Sequence, residues 1–356
     1  MKTTIQVVEP TLEGYSGHCH SLVSSLCRAA ADRPIRLWAG KGSERIDFGP
    51  GVTVHPYFRR RFRQLQLLFL FRRLLREPFP LVVPTARRAD LALVHLAAGG
   101  QIAPNRVFLY FHWVRETPAK LRFMRGIAAR QPNLVVLGTT ASVAEVFRRC
   151  GFAHVAVLPY PAPQAAGNGA ATPFRRLLYA GAARQDKGFG KVVDFVELLA
   201  AKGETIPIAI QVSADHYGKY DAATRDDLAR LRSIDYPPLE LTGQTLSPDD
   251  YAAMFAGGIC LQLYDRADFS DRASGVTLDA LAHGCPIVAT AGTWMAKRVT
   301  PFGAGVALEE ATGESLYLAV RTIIDGYPDF RDRAGSAGRA QARKSWDVLL
   351  DRLDGN

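Results

Sequence analysis

Paired cysteines are missing from this chain of 356 residues: Cys19, Cys27, Cys150, Cys260 and Cys285 are scattered, odd in number and never in a C-x-x-C pair. A disulfide framework and a cysteine-built zinc site are thereby excluded as expectations, and a reducing cytoplasm is the natural home. Long apolar runs are missing too, none approaching the ~20 residues needed to span a bilayer. The N-terminus passes straight into an apolar stretch at 3–8, which reads as a first strand and not as a signal peptide. No short repeat is evident, which excludes a solenoid. What is present, 48% hydrophobic and 22% charged residues over 38.9 kDa, suits a globular protein with two separate cores.

Both halves alternate short apolar runs with helical stretches, the pattern of parallel α/β layers. Strands are expected at 4–8, 35–39, 52–55, 91–95, 107–111, 134–138 and 155–159 in the first half. In the second they are expected at 176–181, 206–212, 238–242, 259–263, 286–290 and 305–308. The small, turn-rich segment 161–173 reads as a linker. These features predict an N-terminal domain over 1–165, a C-terminal one over 174–331 and a last helical segment, 332–356, that contains Lys344-Ser-Trp346-Asp347.

The densest chemistry lies at Asp271-Arg-Ala-Ser-Gly-Val-Thr-Leu-Asp279, followed by Ala-Leu-Ala-His-Gly284-Cys-Pro286 and an apolar run to Thr290. Ser274 is an N-cap candidate, which makes the amides of Gly275, Val276 and Thr277 the free donors of a new helix. Free amides and the helix dipole attract phosphate. Asp279 stands one turn further in, within reach of a ribose on that phosphate, and Asp271 precedes the helix, facing a group carried on the far side. A second segment, Leu178-Tyr-Ala-Gly181-Ala-Ala-Arg184-Gln-Asp-Lys187-Gly188, ends a strand and puts Arg184 and Lys187 in the loop that follows, where cations neutralise a diphosphate. The competing reading of that loop is a solvated basic turn. His112 directly follows the apolar run 107–111 and projects from its carboxyl edge, able to position a substrate or hold a proton near neutral pH. Gly17 opens a helix after the first strand, where open α/β sheets bind ligands.

Together these residues resemble the acidic-x7-acidic signature of retaining GT-B glycosyltransferases, especially family 4. Ala280, Ala282, Gly284, Pro286, Val288, Ala289 and Thr290 follow that pattern, as does Lys187-Gly188. Both family glutamates are aspartates here, and the family's arginine position is Ala182. The resemblance implies a GT-B fold: two Rossmann-like α/β domains whose parallel sheets face across a cleft, with the final helix crossing back to the first. It further implies a nucleotide-sugar donor on the C-terminal domain, a glycan or lipid-linked acceptor on the N-terminal one, and transfer with retention. In those terms Asp279 holds the ribose, Asp271 the donor sugar, and Lys187 with the amides of Ser274, Gly275 and Val276 the diphosphate, Arg184 assisting. His112 matches a family histidine near the donor sugar, and Gly17 the glycine-rich first loop. Asp265 and Asp268 do not form the D-x-D of metal-dependent GT-A enzymes, and His18 and His20 lack a further ligand at metal spacing. Neither an essential metal nor a cofactor is expected. Two alternatives share the architecture: a nucleotide-sugar epimerase and a non-catalytic nucleotide-sugar-binding subunit.

The net charge of +10 is uneven. Arg59, Arg60, Arg61, Arg63, Arg72, Arg73 and Arg76 fall in one stretch without an acidic residue before Glu77, interleaved with phenylalanines and leucines. This is the composition of a basic amphipathic helix lying on an anionic membrane surface. An ordinary core helix with solvated arginines is the alternative, and a nucleic-acid partner is not expected, because no binding motif accompanies the charge. GT-B enzymes acting on lipid-linked acceptors commonly carry such a patch, and the resemblance then implies cell-surface glycan assembly at the inner face of the cytoplasmic membrane.

Overall fold

The computed structural model describes all residues except 1, 16–17, 164–171, 215–219, 245, 343–345 and 356. Gly17 and part of the expected linker lie outside the described residues, as do Lys344 and Ser345. The chain divides into two units, 1–161 with 344–356, and 162–343.

The first unit holds strands β1 (Ile5–Glu9), β2 (Ile35–Gly40), β3 (Val52–Phe58), β4 (Leu81–Val83), β5 (Val107–Phe111), β6 (Val135–Gly138) and β7 (His154–Val157). Its helices are α1 (His18–Ala29), α2 (Arg63–Leu74), α3 (Arg88–Ala98), α4 (Pro118–Arg130) and α5 (Ala141–Arg149). All pairs are parallel, in the order β3-β2-β1-β4-β5-β6-β7. Alternate strand residues serve opposite faces. Leu81, Val83, Val107 and Leu109 enter one core with Leu67, Phe71, Leu91 and Val94, whereas Val82, Phe108, Val135 and Leu137 enter another with Leu22 and Leu26. Burial on both faces explains why these strands read as continuous apolar runs.

The second unit holds β8 (Arg176–Tyr179), β9 (Ile208–Gln211), β10 (Leu239–Thr242), β11 (Gly258–Gln262), β12 (Ile287–Thr290) and β13 (Gly305–Leu308), parallel in the order β10-β9-β8-β11-β12-β13. Its helices are α6 (Phe189–Ala201), α7 (Ala222–Ser233), α8 (Pro248–Phe255), α9 (Arg266–Phe269), α10 (Gly275–Ala282), α11 (Ala296–Val299), α12 (Gly313–Asp325) and α13 (Tyr327–Ala342). The last helix, α14 (Asp347–Leu353), belongs with the first unit. Trp346 and Leu349 are buried in the core beside Leu22 and Leu26, Trp346 Nε1 donates to Ser25 Oγ at 3.1 Å, and buried Arg33 pairs with Asp354 at 3.0 Å.

Two expectations need correction. The stretch 91–95 lies inside α3 and is not a strand: Asp90 Oδ2 accepts the Arg87 amide at 2.7 Å, and Leu91 and Val94, three apart, share the buried face. The strand in its place is β4, three residues between Pro80 and Pro84, too short for alternation to reveal. The last helical segment, expected over 332–356, is instead two helices, α13, which begins at Tyr327, and the separate α14.

Candidate functional site

In the second sheet the strand order reverses direction between β8 and β11. At such a switch point the loops leaving the two carboxyl ends part to opposite sides and open a crevice. The loop after β8 carries Gly181, Arg184, Asp186 and Lys187; that after β11 carries Asp271, Arg272 and Ser274. Gly181 has φ +102°, and a Cβ there would lie 3.1 Å from Lys187 Nζ and 3.6 Å from Val276 Cγ2, so strand end, lysine and the first turn of α10 converge. Gly188 has φ +74°, and a Cβ there would stand 2.2 Å from the Leu263 carbonyl; only glycine lets the two loops approach.

Helix starts separate this crevice from its surroundings. Helices α7, α8 and α12, which do not begin at the switch point, are capped by Asp221, Ser247 and Thr312, each accepting from an amide of its own first turn. Helices α6 and α10 have no side-chain cap: Gly188 has no side chain, and the Ser274 hydroxyl makes no capping bond. Among the described residues, nothing accepts a hydrogen bond from the amides of Gly275, Val276 or Thr277. Ser274 thus holds the N-cap position without capping. The buried Thr277 hydroxyl donates to Gln262 Oε1 at 2.7 Å and ties α10 to the end of β11, while Gln211 Oε1 accepts the Gly181 amide at 2.7 Å.

The charge is positive. Arg184 pairs with Asp186, and Arg272 Nη1 lies 3.8 Å from the same carboxylate oxygen. Burial, with Arg184 and Arg272 as like-charged neighbours, pushes the Lys187 ammonium down to about 8 despite Asp186. Arg184 and Arg272 therefore share the Asp186 carboxylate, with the buried Lys187 ammonium near them and beside amides that meet no protein acceptor among the described residues, an arrangement suited to a multiply charged anion. Deeper along α10, Asp279 Oδ2 accepts from the Tyr251 hydroxyl of α8 at 3.0 Å, and burial raises its carboxyl to about 6. Asp271 is half-buried ahead of α10, its charge acting on Arg298.

In the first unit His112 follows β5. Its Nε2 lies 2.9 Å from the Pro84 carbonyl, which can only accept, so this nitrogen carries the proton. Its ring meets Tyr110 and Tyr160 edge-on, at 4.7 and 5.3 Å. Buried Glu9, at the end of β1, accepts from the hydroxyls of Thr11 and Thr85. Of the arginines assigned to a membrane, Arg59, Arg60, Arg61, Arg72 and Arg73 are exposed. Arg63 is half-buried, and Arg73 lies over the Trp38 ring at 4.4 Å. No described helix is long and apolar enough to cross a membrane.

Arg184, Lys187, Arg272, Ser274, Gly275 and Val276 thus surround one crevice, with Asp279 farther along the same helix and His112 in the other unit. Sequence reasoning missed Asp186, Tyr251, Gln211 and Gln262. A signal existed for the glutamines: each is a polar residue closing an apolar strand.

No protein-family model and no curated protein matches the sequence. Solved structures do. Sucrose-phosphate synthase from Thermosynechococcus elongatus superposes with TM-score 0.70 at 14% identity, over 99% of this chain and 98% of its own. Anabaena HepE in complex with UDP-glucose gives 0.70 at 13%, over 99% and 98%. The α,α-trehalose 6-phosphate synthase from Burkholderia multivorans gives 0.68 at 13%, over 100% and 99%. At these identities the likeness is one of fold, and the chain has the two-domain α/β architecture of the GT-B class.

Proposed function

We propose that the chain is a retaining glycosyltransferase that takes a sugar from a nucleoside-diphosphate donor. The observation that carries this reading is the pair of uncapped helix starts facing Arg184, Lys187 and Arg272 at the switch point of the second sheet. Lys187, Arg184 and Arg272, with the amides of Gly275 to Thr277, hold the diphosphate and stabilise the charge that grows on it as the glycosidic bond breaks. Asp279, oriented by Tyr251, offers its other oxygen to a ribose hydroxyl, and Asp271 meets the donor sugar. His112, at the end of β5 with its Nε2 held by the Pro84 carbonyl, positions a sugar or acceptor hydroxyl. The departing diphosphate takes the proton of the incoming hydroxyl on the face it leaves, which retains configuration.

The GT-B fold is shared with a protein solved with UDP-glucose, which makes UDP-glucose the first donor to try. The acceptor we propose is a glycan or lipid-linked glycan, in bacterial cell-surface assembly, with the chain attached peripherally to the inner face of the cytoplasmic membrane. A thermal-shift panel of UDP-, GDP-, ADP- and dTDP-sugars tests the donor site, since a ligand bound only by the folded state raises the midpoint. One donor is expected to stabilise the protein and, with an acceptor panel, to yield product of unchanged anomeric configuration. No shift with any donor would refute the reading. Donor consumed without any acceptor would favour the epimerase alternative.

A further inference from the structure

The structure adds to the basic stretch of the first unit something that its composition does not show. Helix α2 buries Leu67, Leu70, Phe71 and Leu74 and turns the opposite side outward. On that side Phe62, Leu65, Phe69 and Arg72 recur three and four residues apart, the spacing of one helix face. Phe62 is 54%, Leu65 56% and Phe69 55% exposed, and Leu96 of the neighbouring α3 is 59% exposed. Of the seven large hydrophobic side chains exposed among the described residues, these are four. Beyond Phe69, Arg72, Leu75, Arg76, Leu96 and Ala97 line a depression of about 310 Å³. Arg59, Arg60, Arg61, Arg72 and Arg76 meet no carboxylate within 4.0 Å among the described residues.

We infer that this face docks on an anionic phospholipid surface by insertion: Phe62, Leu65, Phe69 and Leu96 enter the boundary between headgroups and acyl chains, and Arg72 and Arg76 hold a headgroup phosphate at the depression. The inference rests on the peripheral attachment proposed above and deepens it, replacing a purely electrostatic contact by an apolar one ringed with charge. Charge selects the occupant. A second copy brought face to face would set the same unpaired arginines against each other, whereas anionic headgroups satisfy them. Aromatic and leucine side chains on one side of a basic helix are what an interfacial helix requires.

The test is co-sedimentation of the full chain with vesicles of phosphatidylcholine containing about one-third phosphatidylglycerol. The unmutated protein is expected to bind and to keep part of its binding at high salt, where arginine contacts alone are screened. The triple variant Phe62→Ser, Leu65→Ser, Phe69→Ser should lower the partition coefficient by ~10-fold or more with its circular dichroism unchanged, because these side chains leave the core intact. Leu318→Ser, equally exposed but in the second unit, should bind as the unmutated protein does. Triple-variant binding equal to the unmutated level, or unmutated binding lost entirely in salt, would overturn insertion while leaving attachment in place. No binding by the unmutated protein would overturn attachment as well, and donor binding would still be measured separately. A lipid-free dimer dissolved by the triple variant would assign the face to a second copy and overturn the proposal.

Discussion

The two sheets share one architecture, yet their carboxyl edges are finished differently. Beside the switch point of the second sheet two helices begin without a side-chain cap, Arg184 and Arg272 share the Asp186 carboxylate near buried Lys187, and the amides of Gly275, Val276 and Thr277 meet no protein acceptor among the described residues. In the first sheet Glu9 takes the Thr11 and Thr85 hydroxyls, Asp90 takes the Arg87 amide, and α4 and α5 are capped by Thr117 and Thr140. At these positions the first edge satisfies its own polar groups, although α2 also begins without a side-chain cap. The second leaves the amides at the start of α10 without a protein acceptor among the described residues and gathers Arg184, Lys187 and Arg272 beside them, a setting suited to an anion.

The comparison breaks most visibly at Lys187. Lys187→Ala is expected to lower kcat/KM by ~10²–10³-fold, the loss typical of removing one preorganised stabiliser of developing charge. Its thermal midpoint should stay level or rise slightly, because burial disfavours the ammonium in the folded state. Glu9→Ala should do the reverse. Stranding the two threonine hydroxyls costs the fold roughly 1–3 kcal/mol, lowering the calorimetric midpoint while donor affinity holds. A midpoint drop in Lys187→Ala with activity intact would erase the distinction.

The pH dependence of donor affinity sharpens it further. Lys187 is charged below about 8 and Asp279 ionised above about 6, so calorimetric affinity should be greatest between them. Above pH 8 the folded lysine loses its proton before the unfolded one does, so diphosphate attraction falls while fold stability rises towards pH 10.5. Below pH 6 the folded Asp279 gains its proton before the unfolded one, so ribose binding falls while the fold is relatively favoured. Asp279→Asn should remove the acid limb and Lys187→Arg should move the alkaline limb upward; a flat profile in the unmutated protein would contradict both assignments. The smallest effect expected is at Tyr251→Phe: losing one hydrogen bond to Asp279 weakens donor binding ~3-fold, readable by the same calorimetry.

Much of this was legible in residue order, because strands buried on both faces form unbroken apolar runs. Strands β8 to β13 fall where those runs do, and the stop of α10 at Gly284 is read from glycine and proline. What escaped was short or distant. β4 has three residues, and α3 imitates a strand because Leu91-Ala-Leu-Val is apolar throughout. The spacing set Asp271 and Asp279 apart but gave no sign that Asp279 is held by Tyr251, 28 positions away. Arg272, its guanidinium over the Phe269 ring, faces Asp186, which stands on a loop that follows a different strand. Such partners come from separate elements, and local pattern carries no trace of them.

The most direct measurement is isothermal calorimetry of UDP, GDP, ADP and dTDP, each against its parent nucleoside, on the unmutated chain and on the Lys187→Ala, Arg272→Ala double variant. One diphosphate should bind far more tightly than its nucleoside and lose most of that advantage in the double variant. Equal binding by both proteins, or no binding of any diphosphate, would contradict an anion site at the start of α10.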